Sequence, residues 1–161
     1  SCGADLTAAD LLQALIGQGK MLATAESCTG GMISAAITDI AGSSAGFDRG
    51  FVTYSNAAKI EMLGVSEATL EQFGAVSEEV AVEMAAGALS RSAAQIAIAV
   101  TGIAGPGGSD HKPEGRVCFA VATDTGTAVE TVDFGAIGRA GVRRATVDYA
   151  LSMVLAAVSE S

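Results

Sequence analysis

Met21-Leu22-Ala23-Thr24-Ala25-Glu26-Ser27-Cys28-Thr29-Gly30-Gly31-Met32-Ile33 is the stretch on which the fold turns. Residues 21–25 read as a short strand and residues 26–31 as a polar turn ending in two glycines. Met32, Ile33, Ala36, Ile37 and Ile40 then carry the apolar stripe of a helix. Strand, turn and helix in that order form the repeating unit of an α/β sheet. Upstream, Leu6, Ala9, Leu12 and Ile16 recur at helical spacing, and Gly17 with Gly19 ends that helix. Downstream the unit recurs. After a break at residues 42–46, Phe51-Val52-Thr53-Tyr54 has strand composition, and Asn56 caps a helix carrying Lys59. Val65 and Leu70 flank Ser66 at the spacing of a hydrophobic staple, which predicts a short helix over 67–73 stopped by Gly74. Ser77 caps the next helix, through residue 91. The continuous apolar run 96–100 reads as a buried parallel strand entering a glycine-rich loop, 101–108. Residues 116–123 and 127–134 form a hairpin around Asp124-Thr125-Gly126, and a long helix covers 139–158. The expectation is one domain over residues 1–161, a three-layer α/β/α sandwich with a mixed, mostly parallel sheet.

Composition narrows the class. Apolar residues make up 50% of the 161, yet aromatics are 4% and Trp is absent, so Ala, Val, Ile and Leu must build the core. Eighteen acidic against nine basic residues give a net charge of −9, with a pI near 4.4. Without a basic run, the attraction that nonspecific nucleic-acid or anionic-membrane binding requires is missing. No apolar stretch reaches the roughly 18 residues of a membrane span and no signal segment opens the chain, so a cytoplasmic location is expected. Cys2, Cys28 and Cys118 are odd in number and widely spaced, and His111 is the only histidine. Neither a disulfide framework nor a zinc site is expected, and no metal or cofactor is assigned. A Ser-His-Asp mechanism would have to use His111.

If the first three strands are parallel, loops 26–31, 55–59 and 101–108 share the rim at their carboxyl ends, where open α/β sheets bind ligands. The first loop has two readings. Either Ser27 or Thr29 caps the helix and the glycines only turn the chain, or one of Ser27, Cys28 and Thr29 is a nucleophile beside the amides of Thr29, Gly30 and Gly31 as an oxyanion hole. Cys28 fits a buried small residue. Lys59 is either a solvated lysine or, if desolvated, a general base to a serine, and Tyr54 reads as core with its hydroxyl on the rim. Loop 101–108 is a plain loop or a main-chain cradle for phosphate or ribose; it lacks the P-loop lysine and the GxGxxG pattern. Arg139 and Arg143 lie four apart, with Arg144 beside them. They form a phosphate clamp, Arg143 foremost, or a solvated helix start paired with Asp133 or Asp148.

Six ordered motifs carry a resemblance. They are Ala25-Glu26-Ser27-Cys28-Thr29-Gly30-Gly31, Gly42-Ser43-Ser44, Val52-Thr53-Tyr54-Ser55-Asn56, Lys59, Gly74-Ala75-Val76-Ser77-Glu78, and Thr101-Gly102-Ile103-Ala104-Gly105-Pro106. Together they resemble the CinA C-terminal domain family over essentially the whole chain. The resemblance implies an α/β/α sandwich, a homo-oligomer, and deamidation of nicotinamide mononucleotide to nicotinic acid mononucleotide and ammonia in pyridine-nucleotide recycling. Some relatives carry a preceding domain; its absence here points to the stand-alone enzyme type. By position, Ser27 resembles the nucleophile and Lys59 its base, with Tyr54 nearby. Ser43, Ser44, Asn56, Thr101, Gly102, Ala104 and Gly105 are expected at the substrate with Arg139 and Arg143. Ser109-Asp110-His111 before Lys112-Pro113 depart from the pattern. The alternative is a noncatalytic nucleotide-sensing or protein-interaction domain linked to competence.

Overall fold

The computed structural model describes residues 2–109 and 111–160, with the backbone alone for residues 2–6. Five strands, β1 (Leu22–Glu26), β2 (Phe47–Val52), β3 (Ile96–Gly102), β4 (Arg116–Thr123) and β5 (Gly126–Asp133), form one sheet in the order β2-β1-β3-β4-β5. β1 pairs in parallel with β2 and β3, whereas β3–β4 and β4–β5 are antiparallel, so four of the five strands point the same way. The helices are α1 (Cys2–Gly17), α2 (Met32–Thr38), α3 (Asn56–Leu63), α4 (Glu67–Phe73), α5 (Glu78–Ser90) and α6 (Arg139–Ser159). The expected sandwich is present.

Period-two alternation along the central strands sorts the two cores. Leu22, Ile98, Val100, Val117 and Phe119 meet α1, α2 and α6 on one face. Ala23, Ala25, Ala97, Ala99, Ala120 and Ala122 meet the segment from α3 to α5 on the other. The alanine face lets α5 lie close. Its Gly87 sits so near the end of α3 that a Cβ there would be 2.0 Å from the Leu63 carbonyl oxygen. Helix α3, which carries Lys59, is thereby held closely against α5.

Two local readings are corrected. The second strand runs from Phe47 to Val52 and leaves Thr53 and Tyr54 in the loop, because edge pairing with β1 overrides the poor strand propensity of Asp48-Arg49-Gly50. Gly50 is required there. A Cβ would come within 2.6 Å of both the Ser34 and Thr24 hydroxyl oxygens. The cap of α3 is Ser55, whose Oγ accepts from the Ala58 amide at 3.0 Å, and Asn56 is the first helical residue. Ser77, by contrast, caps α5 as expected, accepting from the Val80 amide at 3.2 Å.

Candidate active site

The order β2-β1-β3 places a topological switch between β1 and β3. The chain leaves β1 for α2 on one face and leaves β2 for α3 on the other, so the loops diverge and open a crevice at the strands' carboxyl ends. A cavity of about 360 Å³ lies there, lined by Ser27, Cys28, Tyr54, Asn56, Lys59, Arg139 and residues of the 101–109 segment. A larger cavity, about 820 Å³, lies at the amino-terminal end of β3, beside Ile96 and Thr123, and contains neither Ser27 nor Lys59.

Ser27 follows β1 directly, and its amide donates to the Val100 carbonyl at 3.2 Å, which ties the turn to β3. Lys59 is 1% exposed, on the inner side of α3 with Leu63 one turn on. Its Nζ lies 3.1 Å from Ser27 Oγ and donates to the carbonyls of Thr53 at 3.0 Å and Tyr54 at 3.4 Å. Burial disfavours the ammonium and lowers its pKa from 10.5 to about 8. The pair therefore combines a hydroxyl with an amine that is partly neutral near physiological pH. Such a pair can activate a serine.

The two other candidates in this turn are differently placed. Burial pushes the Cys28 thiol up to about 11, so the thiolate is scarce. Cys28→Ala is accordingly expected to leave turnover within about threefold, and Cys28 to resist iodoacetamide at pH 7.5. Thr29 is fully buried, and its hydroxyl donates to Glu26 Oε1 at 2.6 Å.

Two of the three amides expected at the oxyanion, those of Gly30 and Gly31, are engaged elsewhere. The Gly30 amide donates to the Ser27 carbonyl at 3.1 Å and the Gly31 amide to Glu26 Oε1 at 3.2 Å, and neither glycine lines the cavity. Both have positive φ, so they shape the turn. The amides of Ala104 and Gly105, which do line the cavity, have no protein acceptor among the described residues.

The arginines divide. Arg139 lines the cavity, donating to the Gly105 carbonyl at 2.7 Å and to the Tyr54 hydroxyl at 2.9 Å. Arg143, expected at the phosphate, instead donates to the Cys28 and Thr29 carbonyls at 3.0 and 3.2 Å and does not line the cavity. Arg144 is exposed. Tyr54 is 62% exposed rather than core, because its strand ends two residues earlier. Thr101 is buried, its hydroxyl donating to the Ala75 carbonyl at 2.8 Å, so it holds the wall. Gly102 lies against Val117, and a Cβ on it would come within 2.6 Å of Val117 Cγ2. Ser43 and Ser44 are not brought to the site. They form a 3-10 turn entering β2, at the amino-terminal ends of β1 and β2 and so at the end of the strands away from the cavity.

Of the departing segment, Asp110 lies outside the described residues, His111 is exposed, and Ser109 lines the cavity. Lys112 Nζ donates to the carbonyls of Phe73 and Val76, anchoring this loop to the α4–α5 connection. Sequence reasoning missed that anchor, the carbonyl grip of Arg143, and Glu26. The available signal for Glu26 was a carboxylate at the end of an apolar strand just before a helix start. No three His, Cys, Asp or Glu side chains come together as a metal site among the described residues, and none of their helices is long and apolar enough to cross a membrane.

This architecture defines an α/β/α domain with a buried serine–lysine pair at the switch point. Residues 5–158 match the CinA C-terminal domain, and the chain belongs to that family. The nicotinamide-nucleotide amidohydrolase PncC of Escherichia coli is 56% identical over 140 residues, spanning 86% of this chain and 85% of that protein. The crystal structure of the competence/damage inducible protein CihA from Agrobacterium tumefaciens superposes with a TM-score of 0.93 at 51% identity, covering 96% of this chain and 94% of that one. That of a CinA superfamily protein from Klebsiella pneumoniae gives 0.94 at 36% identity, over 98% and 99%.

Proposed function

We propose that this chain is an amidohydrolase that converts nicotinamide mononucleotide to nicotinic acid mononucleotide and ammonia, using Ser27 as nucleophile and Lys59 as general base. The observation that carries the chemistry is the buried amine of Lys59, 3.1 Å from Ser27 Oγ. The substrate is supported by the relative at 56% identity, a nicotinamide-nucleotide amidohydrolase. In the first half-reaction Ser27 Oγ bonds to the carboxamide carbon while neutral Lys59 takes the hydroxyl proton. The C–N bond breaks, and the nitrogen leaves as ammonia with the proton that Lys59 returns. Water then attacks the ester while Lys59 takes one of its protons, and the C–Oγ bond breaks as Lys59 returns that proton to Oγ, releasing the carboxylic acid product and restoring the hydroxyl and the neutral amine. Amides of Ala104 and Gly105 are the donors we assign to the oxyanion.

A −9 chain repels a phosphate, so capture of a mononucleotide has to rest on local donors. Arg139 takes that role, since it lines the cavity and uses only part of its five-donor fork on Gly105 and Tyr54. Losing such a contact costs about 2 kcal/mol, roughly thirtyfold in affinity. Arg139→Ala should therefore raise KM for the mononucleotide by that factor, with little change for the phosphate-free riboside, whereas Arg143→Ala should lower kcat for both alike. Equal KM effects of Arg139→Ala on the two substrates would remove it from the phosphate site.

A cytoplasmic location and a homo-oligomer travel with this reading. The noncatalytic alternative has no use for an amine desolvated against a serine. Ammonia release from nicotinamide mononucleotide separates the two, since a sensing domain binds the mononucleotide without producing ammonia.

A further inference from the structure

The chemistry above gives no part to Glu26, the residue immediately before the nucleophile. It ends β1, is fully buried and does not line the cavity. Its Oε1 accepts from Thr29 Oγ1 at 2.6 Å, the Gly31 amide at 3.2 Å and the Ile33 amide at 2.9 Å. Its Oε2 accepts from the Ser34 amide at 3.0 Å and Ser34 Oγ at 2.8 Å. A buried carboxylate is costly unless its lone pairs are satisfied, and here donors converge on both oxygens. Three of them are main-chain amides of the segment following Ser27, so the carboxylate dictates the course of the backbone there.

The same residue reaches the other member of the pair. The Glu26 carbonyl accepts from the Thr53 amide at 2.9 Å, and the Thr53 carbonyl accepts from Lys59 Nζ at 3.0 Å. Opposite the carboxylate, Arg143 grips the carbonyls of Cys28 and Thr29. The turn is thus held by an anion on its amides and a cation on its carbonyls.

We propose that Glu26 is the positioning residue of the site, its carboxylate holding the turn so that Ser27 Oγ is presented to Lys59 Nζ. The proposal rests on the reading of Ser27 as nucleophile. Glu26→Gln preserves volume but replaces one acceptor oxygen with an NH2 group that faces N–H and O–H donors. A role in helix capping alone would lower the melting temperature and leave the folded enzyme active. Positioning predicts a kcat lower by about 100-fold in folded protein, with KM within about twofold, because displacement on the order of 1 Å costs that much.

The deciding experiment needs no nucleotide. A fluorophosphonate phosphonylates an activated serine: Ser27 Oγ bonds to phosphorus, fluoride leaves, and Lys59 accepts the hydroxyl proton. Mass spectrometry should show wild-type protein labelled at Ser27 and E26Q labelled about 100-fold more slowly, with melting followed in parallel. If E26Q does not fold, the double variant Thr29→Val with Ser34→Ala keeps the carboxylate and removes its two hydroxyl donors; about tenfold slower labelling is expected. Labelling at the wild-type rate by E26Q, or by the double variant where E26Q is unfolded, overturns the role of Glu26. Wild-type protein left unlabelled overturns the Ser27 reading, and this proposal with it. Labelling that succeeds while nicotinamide mononucleotide is not hydrolysed overturns only the substrate.

Discussion

Ser27→Ala is expected to lower turnover of nicotinamide mononucleotide by about 10⁴-fold or more while leaving the melting temperature near that of wild type. The size of the loss follows from the lack of a substitute. The neighbouring thiol of Cys28 is held at about 11 by burial, and the Thr29 hydroxyl is committed to Glu26 at 2.6 Å. Ser27 itself is 7% exposed, so the change removes one oxygen from a nearly enclosed position and disturbs little packing. Ammonia release under saturating substrate, with binding followed separately by calorimetry, checks it. A variant that still binds but does not turn over is the expected outcome, and turnover within tenfold of wild type would exclude the serine.

Lys59 carries the second large effect. Only the neutral amine can accept the Ser27 proton, and the pKa is lowered to about 8 by burial, so the sign is set: activity rises with pH. The neutral fraction is about a tenth at pH 7 and about nine-tenths at pH 9. kcat/KM should therefore climb close to tenfold per pH unit below 8 and level off above it. Lys59→Met should lose about 10³-fold with the shape of that limb, and Lys59→Arg should do no better, because a guanidinium does not release its proton in this range. A limb of unchanged shape in Lys59→Met would assign the titration to another group.

Helix α4 was legible to the residue because its stop and start are local, Ser66 and the Val65–Leu70 staple at one end and Gly74 at the other. The edge strand β2 was displaced because Asp48-Arg49-Gly50 says nothing of a strand until β1 lies beside it and Ser34 packs over Gly50. Ser27 and Lys59 could be singled out from their places just after strands, and their contact depends on the parallel order of β1 and β2. Arg143 was misassigned because i to i+4 spacing puts two arginines on one helix face without saying what that face meets. Ser43 and Ser44 were misplaced for the same reason: a motif has no direction along the sheet until the strand after it is oriented. Glu26 stood out only as a carboxylate ending an apolar strand; its partners were not legible, since it accepts from amides up to eight residues on and those contacts form only once the turn is folded.

The proposed mechanism passes through a covalent acyl intermediate on Ser27. It is tested most directly by acid-quenching wild-type enzyme during turnover of nicotinamide mononucleotide and weighing the peptide that contains Ser27. Hydroxylamine is supplied in a parallel reaction to intercept the ester. The predicted result is a nicotinic acid mononucleotide acyl group on that peptide, absent in Ser27→Ala, and a hydroxamate product formed without slowing ammonia release. Sustained ammonia release with neither the acylated peptide nor the hydroxamate would contradict it.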